Sequence, residues 1–404
     1  MQKKRILITA STFPRYKGDA CPGFILDFCK SLAASDDFEC LVLSPHSEKA
    51  QTSELMEGIQ VKRYKYFFPY SLEKLSGNGI MSFLKKNSLF FIVIPFFLFF
   101  QFISTFITIK QFKPDIIIAH WLIPQGLIAA IVKLFLPDIK ILTVSLGGDA
   151  ALIKNNFFAN LSGKFTVKQA NKVVAVSGFI KNILIKELKI NSFIPVIPMA
   201  IDEKLFKTQN STEKTKINKN ILFLGRLVEK KGVKYLIEAM PLVIKNHSDA
   251  ILHIIGDGLL KNELVIQAKN LNIEKNIIFR GAIEYAKLPE VFASTLIFVA
   301  PSINEKDDLE GLPTVLAISA AAKTPIITTD AGGITDLIQN YTTGIIVEQR
   351  NSVQLAEKII ELIENGQLRK ELADNAYNKL LTDFTLDKTG EKYRNLIFEC
   401  INGA

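Results

Sequence analysis

Cysteine is scarce in this sequence. Cys21, Cys29, Cys40 and Cys400 are the only four in 404 residues, and their spacing fits neither a metal site nor a disulfide framework. A chain of this length buries a large core without covalent staples, and its cysteine usage suits a reducing compartment. Arginine is scarce too: eight of 49 basic residues, leaving 41 lysines. Lysine is the weaker residue for bidentate base or phosphate recognition, so the net charge of +9 argues only weakly for nucleic acid, which is not expected as a partner, and fits better with an anionic leaflet or anionic substrates. Glycine (22) and proline (15) are about average, which leaves no room for a dominant flexible linker. The opening MQKKRILITA has only a short apolar run that passes into a polar, Pro/Gly-rich stretch. It is expected to be a first strand and not a signal peptide. With 48% apolar and 22% charged residues the chain is an ordinary globular one, of two or three domains.

Through the first two hundred residues, short β-rich runs alternate with helical patterns. Candidate strands are Arg5–Ala10, Cys40–Ser44, Gln60–Tyr64, Asp115–Ala119, Lys140–Val144 and Lys172–Val176. Several are continuous apolar runs, as in strands buried on both faces, so the expected architecture is a doubly wound parallel α/β sheet. The polar stretch 207–220 lacks apolar periodicity and reads as a linker. The alternation then restarts with NILFLG, ILHIIG, NIIFRG, LIFVAP, PIITTD and GIIV. The expected division is a first domain over 1–206, a linker over 207–220, a second domain over 221–385, and a last helix over 386–404 packing back on the first.

One segment is unusually apolar. LFFIVIPFFLFF (Leu89–Phe100) continues as QFISTFITI to Ile109, flanked by Lys85, Lys86, Lys110 and Lys113. Its length could span a bilayer, but the strands before and after it belong to one sheet, which excludes a span on topology. Two readings remain: a helix buried under the sheet, or a monotopic patch in the membrane interface with lysines on anionic headgroups.

The chemistry-bearing motifs cluster in the second half. GRLVEKKG (Gly225–Gly232) follows a strand directly, so Gly225 turns the chain where Arg226 stands at the strand's C-terminal edge and Lys231 at a helix start. Two cations and a helix N-terminus near one point make an anion site. HIIGDG brings Gly256 to a second turn, and FRGAI brings Gly281, Ala282 and Ile283 to a third. In EGLPT, Glu310 precedes Gly311, Leu312, Pro313 and Thr314 at another helix start, a second anion cradle beside a carboxylate suited to sugar hydroxyls.

This run of motifs resembles the retaining, family-4-type glycosyltransferases of GT-B fold, over nearly the whole chain. GRLVEKKG, IIGDG, IIFRGAI, Pro301–Ser302, EGLPTVL and TPIITTDAGGITDLI stand in that family's order. In the first half STFPRYKGDACPGFILDFCKSLA, AHWLIPQG, SLGGDA and VAVSGFIKNIL do the same. The resemblance implies two Rossmann-like domains facing across a cleft. Arg226 and Lys231 would neutralise a leaving diphosphate in place of a metal, so neither a metal nor a cofactor is expected. Glu310 would hold the donor sugar and 311–313 its phosphate, with Gly281–Ile283 beside the base. His120 would lie near the reacting face of the sugar. Gly18 and Asp19 would shape the first loop, and Asp149 would either face the acceptor or cap a helix. The expected reaction is sugar transfer with retention from a nucleotide-sugar, a UDP-sugar ahead of a GDP-sugar. The acceptor would be a lipid-linked or saccharide hydroxyl in cell-envelope polysaccharide or glycolipid synthesis, met from the cytoplasmic side by peripheral contact through 89–109.

The pattern is broken at one place. The family's Glu-x7-Glu puts a second glutamate at 318, where this chain has Ile318. Ile cannot accept the ribose hydroxyls, and a hydrogen bond to a charged group is worth roughly 1.5–3 kcal/mol. The alternative is therefore a weak or inactive donor-binding homologue acting as a membrane-docked partner. A third reading keeps the fold with an epimerase- or phosphorylase-type reaction.

Overall fold

A computed structural model describes residues 3–19, 23–76, 80, 83–84, 87–207, 219–306 and 308–403. Cys21, Lys85, Lys86 and most of the 207–220 stretch lie outside the described residues. The chain divides into two units. One comprises Met1–Ala200 with Leu386–Ala404, the other Ile201–Thr385.

The first unit is built on seven strands: β1 (Lys4–Thr9), β2 (Phe38–Pro45), β3 (Ser53–Met56), β4 (Ile59–Tyr64), β5 (Ile116–His120), β6 (Lys140–Ser145) and β7 (Lys172–Ala175). Their order is β3-β4-β2-β1-β5-β6-β7, parallel except for the β3–β4 pair. Strand alternation explains why the runs read as unbroken apolar. Ile6, Ile8, Val42, Ile116 and Ile118 enter the core on one face, and Leu7, Leu41, Leu43 and Ile117 enter the core on the other. The first face is covered by helices Phe24–Ala33, Gly178–Leu188 and Leu386–Asn402, the second by Ile94–Phe112 and Leu127–Lys133. The C-terminal helix is integral to this unit: Tyr393, Ile397 and Cys400 are buried in its core, and Gly390 lies so close to the Ser31 carbonyl that a Cβ there would come within 2.6 Å.

Strand β3 has no counterpart among the sequence expectations. SELM carries little apolar signal because it is an edge strand with mostly exposed side chains. What makes it is the two-residue turn Glu57–Gly58, both at positive φ (48° and 84°), which returns the chain into β4 with Met56 opposite Ile59.

The apolar segment forms a short 3₁₀ stretch, Ser88–Val93, and then helix Ile94–Phe112. Its inward stripe is Phe97, Gln101, Thr105, Thr108 and Ile109; Leu89, Ile92, Phe96 and Phe99 stand exposed. The inward stripe thus carries three polar residues, Gln101, Thr105 and Thr108, beside Phe97 and Ile109, while Phe96, Phe99 and Phe100 face outward. Strands β4 and β5, which flank it, lie in one sheet.

The second unit carries a six-stranded parallel sheet in the order β10-β9-β8-β11-β12-β13. The strands are β8 (Asn220–Leu224), β9 (Ile251–Ile255), β10 (Ile277–Gly281), β11 (Ile297–Ala300), β12 (Ile326–Thr329) and β13 (Ile345–Val347). This unit begins at Ile201, earlier than the expected boundary after 206. Ile201 bridges to Thr385, and Phe206 is buried in the second unit's core against Phe292.

Truncating Ile397 to alanine should cost about 2–5 kcal/mol in urea unfolding, as for other fully buried large-to-small changes. A loss below about 1 kcal/mol would show that the C-terminal helix is not part of the first unit's core.

Candidate functional site

In a parallel sheet the loops after the C-terminal strand ends are adjacent, and in the second unit hydrogen bonds join three of them. Gly225 N–H donates to the Ile255 carbonyl (3.0 Å), Leu227 N–H to the Asp257 carbonyl (2.9 Å) and Gly256 N–H to the Gly281 carbonyl (2.8 Å). Gly256, at φ +139°, is obligatory here, because a Cβ would sit 1.8 Å from the Gly225 carbonyl oxygen.

After Gly225 the chain passes Arg226 and a 3₁₀ turn, Glu229–Lys231, and enters helix Val233–Asn246. Lys231 Nζ lies 2.6 Å from Glu310 Oε2, 79 residues on, and both side chains are largely buried. The neighbouring Lys230 is buried as well. Its Nζ donates to Asp308 Oδ1 (2.7 Å) and the Leu309 carbonyl (3.3 Å), pinning the loop that presents Glu310. Behind Glu310, Gly332 (φ +61°) lies so close that a Cβ would come within 2.0 Å of the Glu310 carbonyl oxygen. Burial alone would raise the Glu310 pKa, but the charges of Lys231, Lys230 and Arg226 outweigh it and hold the carboxyl at about 2. Lys231 is pulled down by burial and by its cationic neighbours Lys230 and Arg226, against the pull of Glu310. At neutral pH Glu310 is therefore ionised, with Lys231, Lys230 and Arg226 around it.

Gly311, Leu312 and Pro313 follow Glu310 and lead into helix Thr314–Ala321, with Pro313 extended (ψ 116°) at the N-cap and no side-chain cap. Ile318 lies in the second turn, buried with Leu316, Ala317 and Phe298 in the apolar core. It presents no polar group. Ala282 is exposed at the end of β10, between half-buried Gly281 and Ile283.

The residues expected from the first unit are arranged differently. His120 ends β5, but its ring turns inward. It is fully buried, edge-on to Phe28 at 4.7 Å, and neither ring nitrogen has a partner among the described residues. Burial pulls its pKa down to about 3, so the imidazole is neutral. Alternation along β5 puts His120 on the same face as the core residues Ile116 and Ile118. Asp149 is likewise enclosed. It accepts from Leu122 N–H (2.8 Å), Ser145 Oγ–H (3.0 Å), Gly147 N–H (3.1 Å) and Leu146 N–H (3.2 Å). It braces the turns after β5 and β6. Asp19 is buried and engages Arg15 through both oxygens (2.7 Å each), beside exposed Gly18 at φ 83°. Arg15 and Lys230 were not expected from sequence. The only signal for Lys230 was the doubled lysine.

Among the described residues, no three His, Cys, Asp or Glu side chains come together as a metal site.

The chain matches two family descriptions in succession, Glycosyltransferase Family 4 over residues 24–205 and Glycosyl transferases group 1 over residues 204–379. It belongs to the GT-B glycosyltransferases of family-4 type. It is 30% identical over 263 residues to an uncharacterized glycosyltransferase of Methanocaldococcus jannaschii, covering 65% of this chain and 69% of that one. It is 25% identical over 294 residues to the N-acetyl-alpha-D-glucosaminyl L-malate synthase of Bacillus anthracis, covering 71% and 75%. The solved structure of Anabaena HepE in complex with UDP and glucose is similar at a TM-score of 0.74 and 19% identity, covering 98% of this chain and 100% of that one. In this glycosyltransferase, then, the Lys231–Glu310 pair stands at the C-terminal end of β8.

Glu310 has a depressed pKa, so its contribution to stability is complete above its ordinary value of 4.5 and is lost as the pH falls through about 2. Glu310→Gln should therefore flatten the fall in unfolding free energy across that acid window. An acid limb identical to wild type would show that the cations do not hold the carboxylate.

Proposed function

We propose that the enzyme is a retaining glycosyltransferase that moves a sugar from a nucleotide-sugar, a UDP-sugar ahead of a GDP-sugar, to a hydroxyl of a lipid-linked or saccharide acceptor in cell-envelope polysaccharide or glycolipid synthesis. The observation that carries this reading is the buried Lys231–Glu310 pair with Lys230 and Arg226 in its field. A buried ion pair is a poor device for stability alone. It suits a ligand that divides it: a diphosphate taking up Lys231 and Arg226, and sugar hydroxyls taking up Glu310. As the bond from the anomeric carbon to the leaving phosphate oxygen breaks, charge develops at fixed cations. The acceptor oxygen bonds to that carbon on the same face, and its proton passes to the departing diphosphate. The cations take the place of a metal. His120, neutral and enclosed, enters as a hydrogen-bonding group and not as an acid.

HepE is crystallised with UDP and glucose, which supports the UDP preference. The outward phenylalanines of Ile94–Phe112 support an acceptor met at the cytoplasmic face of the membrane, with the enzyme bound peripherally.

Ile318 supports a second reading, a donor-binding homologue with little turnover. Without a carboxylate at 318, donor affinity falls by tens- to hundredfold if nothing else holds the ribose.

Incubating the enzyme with labelled UDP- and GDP-sugars and envelope lipid extract, with EDTA present, tests both. Transfer is expected from one UDP-sugar, with the donor's anomeric configuration kept and no loss in EDTA. Arg226→Ala or Lys231→Ala should lower kcat/KM by about 10²–10³. An inverted product would overturn retention, and abolition by EDTA would overturn the cation mechanism. UDP binding without any transfer would favour the second reading.

A further inference from the structure

The positive charge of this chain is not spread along it. From Lys74 to Lys186 there are thirteen lysines, no arginine and three aspartates, a net of +10, so the remaining residues together carry −1. This whole stretch belongs to the first unit. Between Asp149 and Glu187 there is no acidic residue at all, only Lys154, Lys164, Lys168, Lys172, Lys181 and Lys186.

Helix Phe157–Gln169 lies within that acid-free stretch, and like Ile94–Phe112 it leaves phenylalanines exposed. Its inward residues are Ala159, Gly163 and Thr166. Phe157 is 77% exposed, Phe158 75% and Leu161 58%, the two rings meeting edge to face at 5.7 Å. Asn156 caps the helix by accepting from Ala159 N–H (2.9 Å), so the backbone that presents these rings is fixed. Lys154, Lys164 and Lys168 are exposed around them.

Both apolar heads rise at the same edge of the sheet. Tyr64, the last residue of β4, meets Phe97 at 5.9 Å, so Leu89 and Ile92 lie at or beyond the C-terminal strand ends. A Cβ on Gly126 would touch both Thr166 and Thr143 of β6. At the tail of the second helix, Asn171 N–H donates to the Ile141 carbonyl. With a rise of about 1.5 Å per residue, Phe157 lies on the order of 13 Å beyond Thr166, past the end of β6. In open α/β sheets that edge is where ligands bind.

We propose that Phe157, Phe158 and Leu161 form a second membrane prong, and that the first unit rests on an anionic bilayer with the C-terminal edge of its sheet toward the lipid. The lysines contact headgroups while the rings enter the acyl boundary, and a lipid-linked acceptor reaches the sheet edge without leaving the membrane. This rests on the lipid-acceptor reading above.

The test uses the full chain with vesicles of phosphatidylcholine alone or with phosphatidylglycerol. Wild type should co-sediment with the phosphatidylglycerol vesicles only. Phe157→Ser/Phe158→Ser should weaken that binding about tenfold, as for two partly inserted rings. Lys164→Ala and Lys168→Ala should each weaken it about fivefold at low salt. Phe157→Trp should add fluorescence that brominated lipid quenches. If wild type binds while the serine variant binds equally and the new tryptophan is not quenched, the second prong is overturned and the membrane reading stands. No binding by wild type to either vesicle overturns both. A serine variant that changes only a dimer equilibrium in gel filtration assigns the rings to a second copy and overturns the proposal.

Discussion

The ion pair between Lys231 and Glu310 is the contact on which the second unit's site depends. Each partner is buried, so each is costly without the other. They are brought together by the loops after the neighbouring strands β8 and β11, which the sheet makes adjacent but does not by itself fix. Fixing is done by close backbone approach and by a second lysine. Gly256 lets the loop after β9 lie against Gly225, Gly232 (φ +64°) lets the chain pass under the Pro301 carbonyl, and Gly332 fits behind Glu310. Lys230 holds Asp308 and Leu309 in place. Adjacent lysines thus have separate tasks: one faces the carboxylate, the other holds the loop that carries it. The excess of cations over carboxylates there is what a diphosphate can use.

The first unit is governed by a different constraint. Its core is closed by strands that are apolar on both faces, so the helices above them need little further burial. Two of those helices carry small or polar residues among their buried positions and leave phenylalanines exposed, Phe96, Phe99 and Phe100 on one and Phe157 and Phe158 on the other. Exposed apolar patches of this kind are costly in water and call for a partner surface. The concentration of lysine in the same hundred residues suits the anionic surface proposed above. Charge and apolar area, which look unrelated in composition, coincide in the fold.

Much of this was legible in the sequence. Continuous runs such as IIIA and ILFL mark strands buried on both faces, and the expected glycine turns at Gly225, Gly256 and Gly281 fall at the C-terminal ends of β8, β9 and β10. What was not legible depends on orientation and on long-range contact. The outward side of Ile94–Phe112 cannot be read from a segment in which nearly every position is apolar. The 79-residue partnership of Lys231 with Glu310 follows from strand order, which no local pattern contains. The burial of His120 was legible too: its i, i+2, i+4 relation to Ile118 and Ile116 puts it on the core face. Strand β3 was missed because an edge strand needs little apolar content, although the Glu57–Gly58 turn announced it.

The central claim is that the Lys231–Glu310 pair opens to receive a nucleoside diphosphate. Calorimetric titration of UDP into wild type and Lys231→Met, with EDTA present, measures this directly. The account predicts saturable binding by wild type and a loss of about tenfold or more in the variant, the scale of a lost charged hydrogen bond. Equal binding by the two proteins, with the variant's fold intact by circular dichroism, would contradict it.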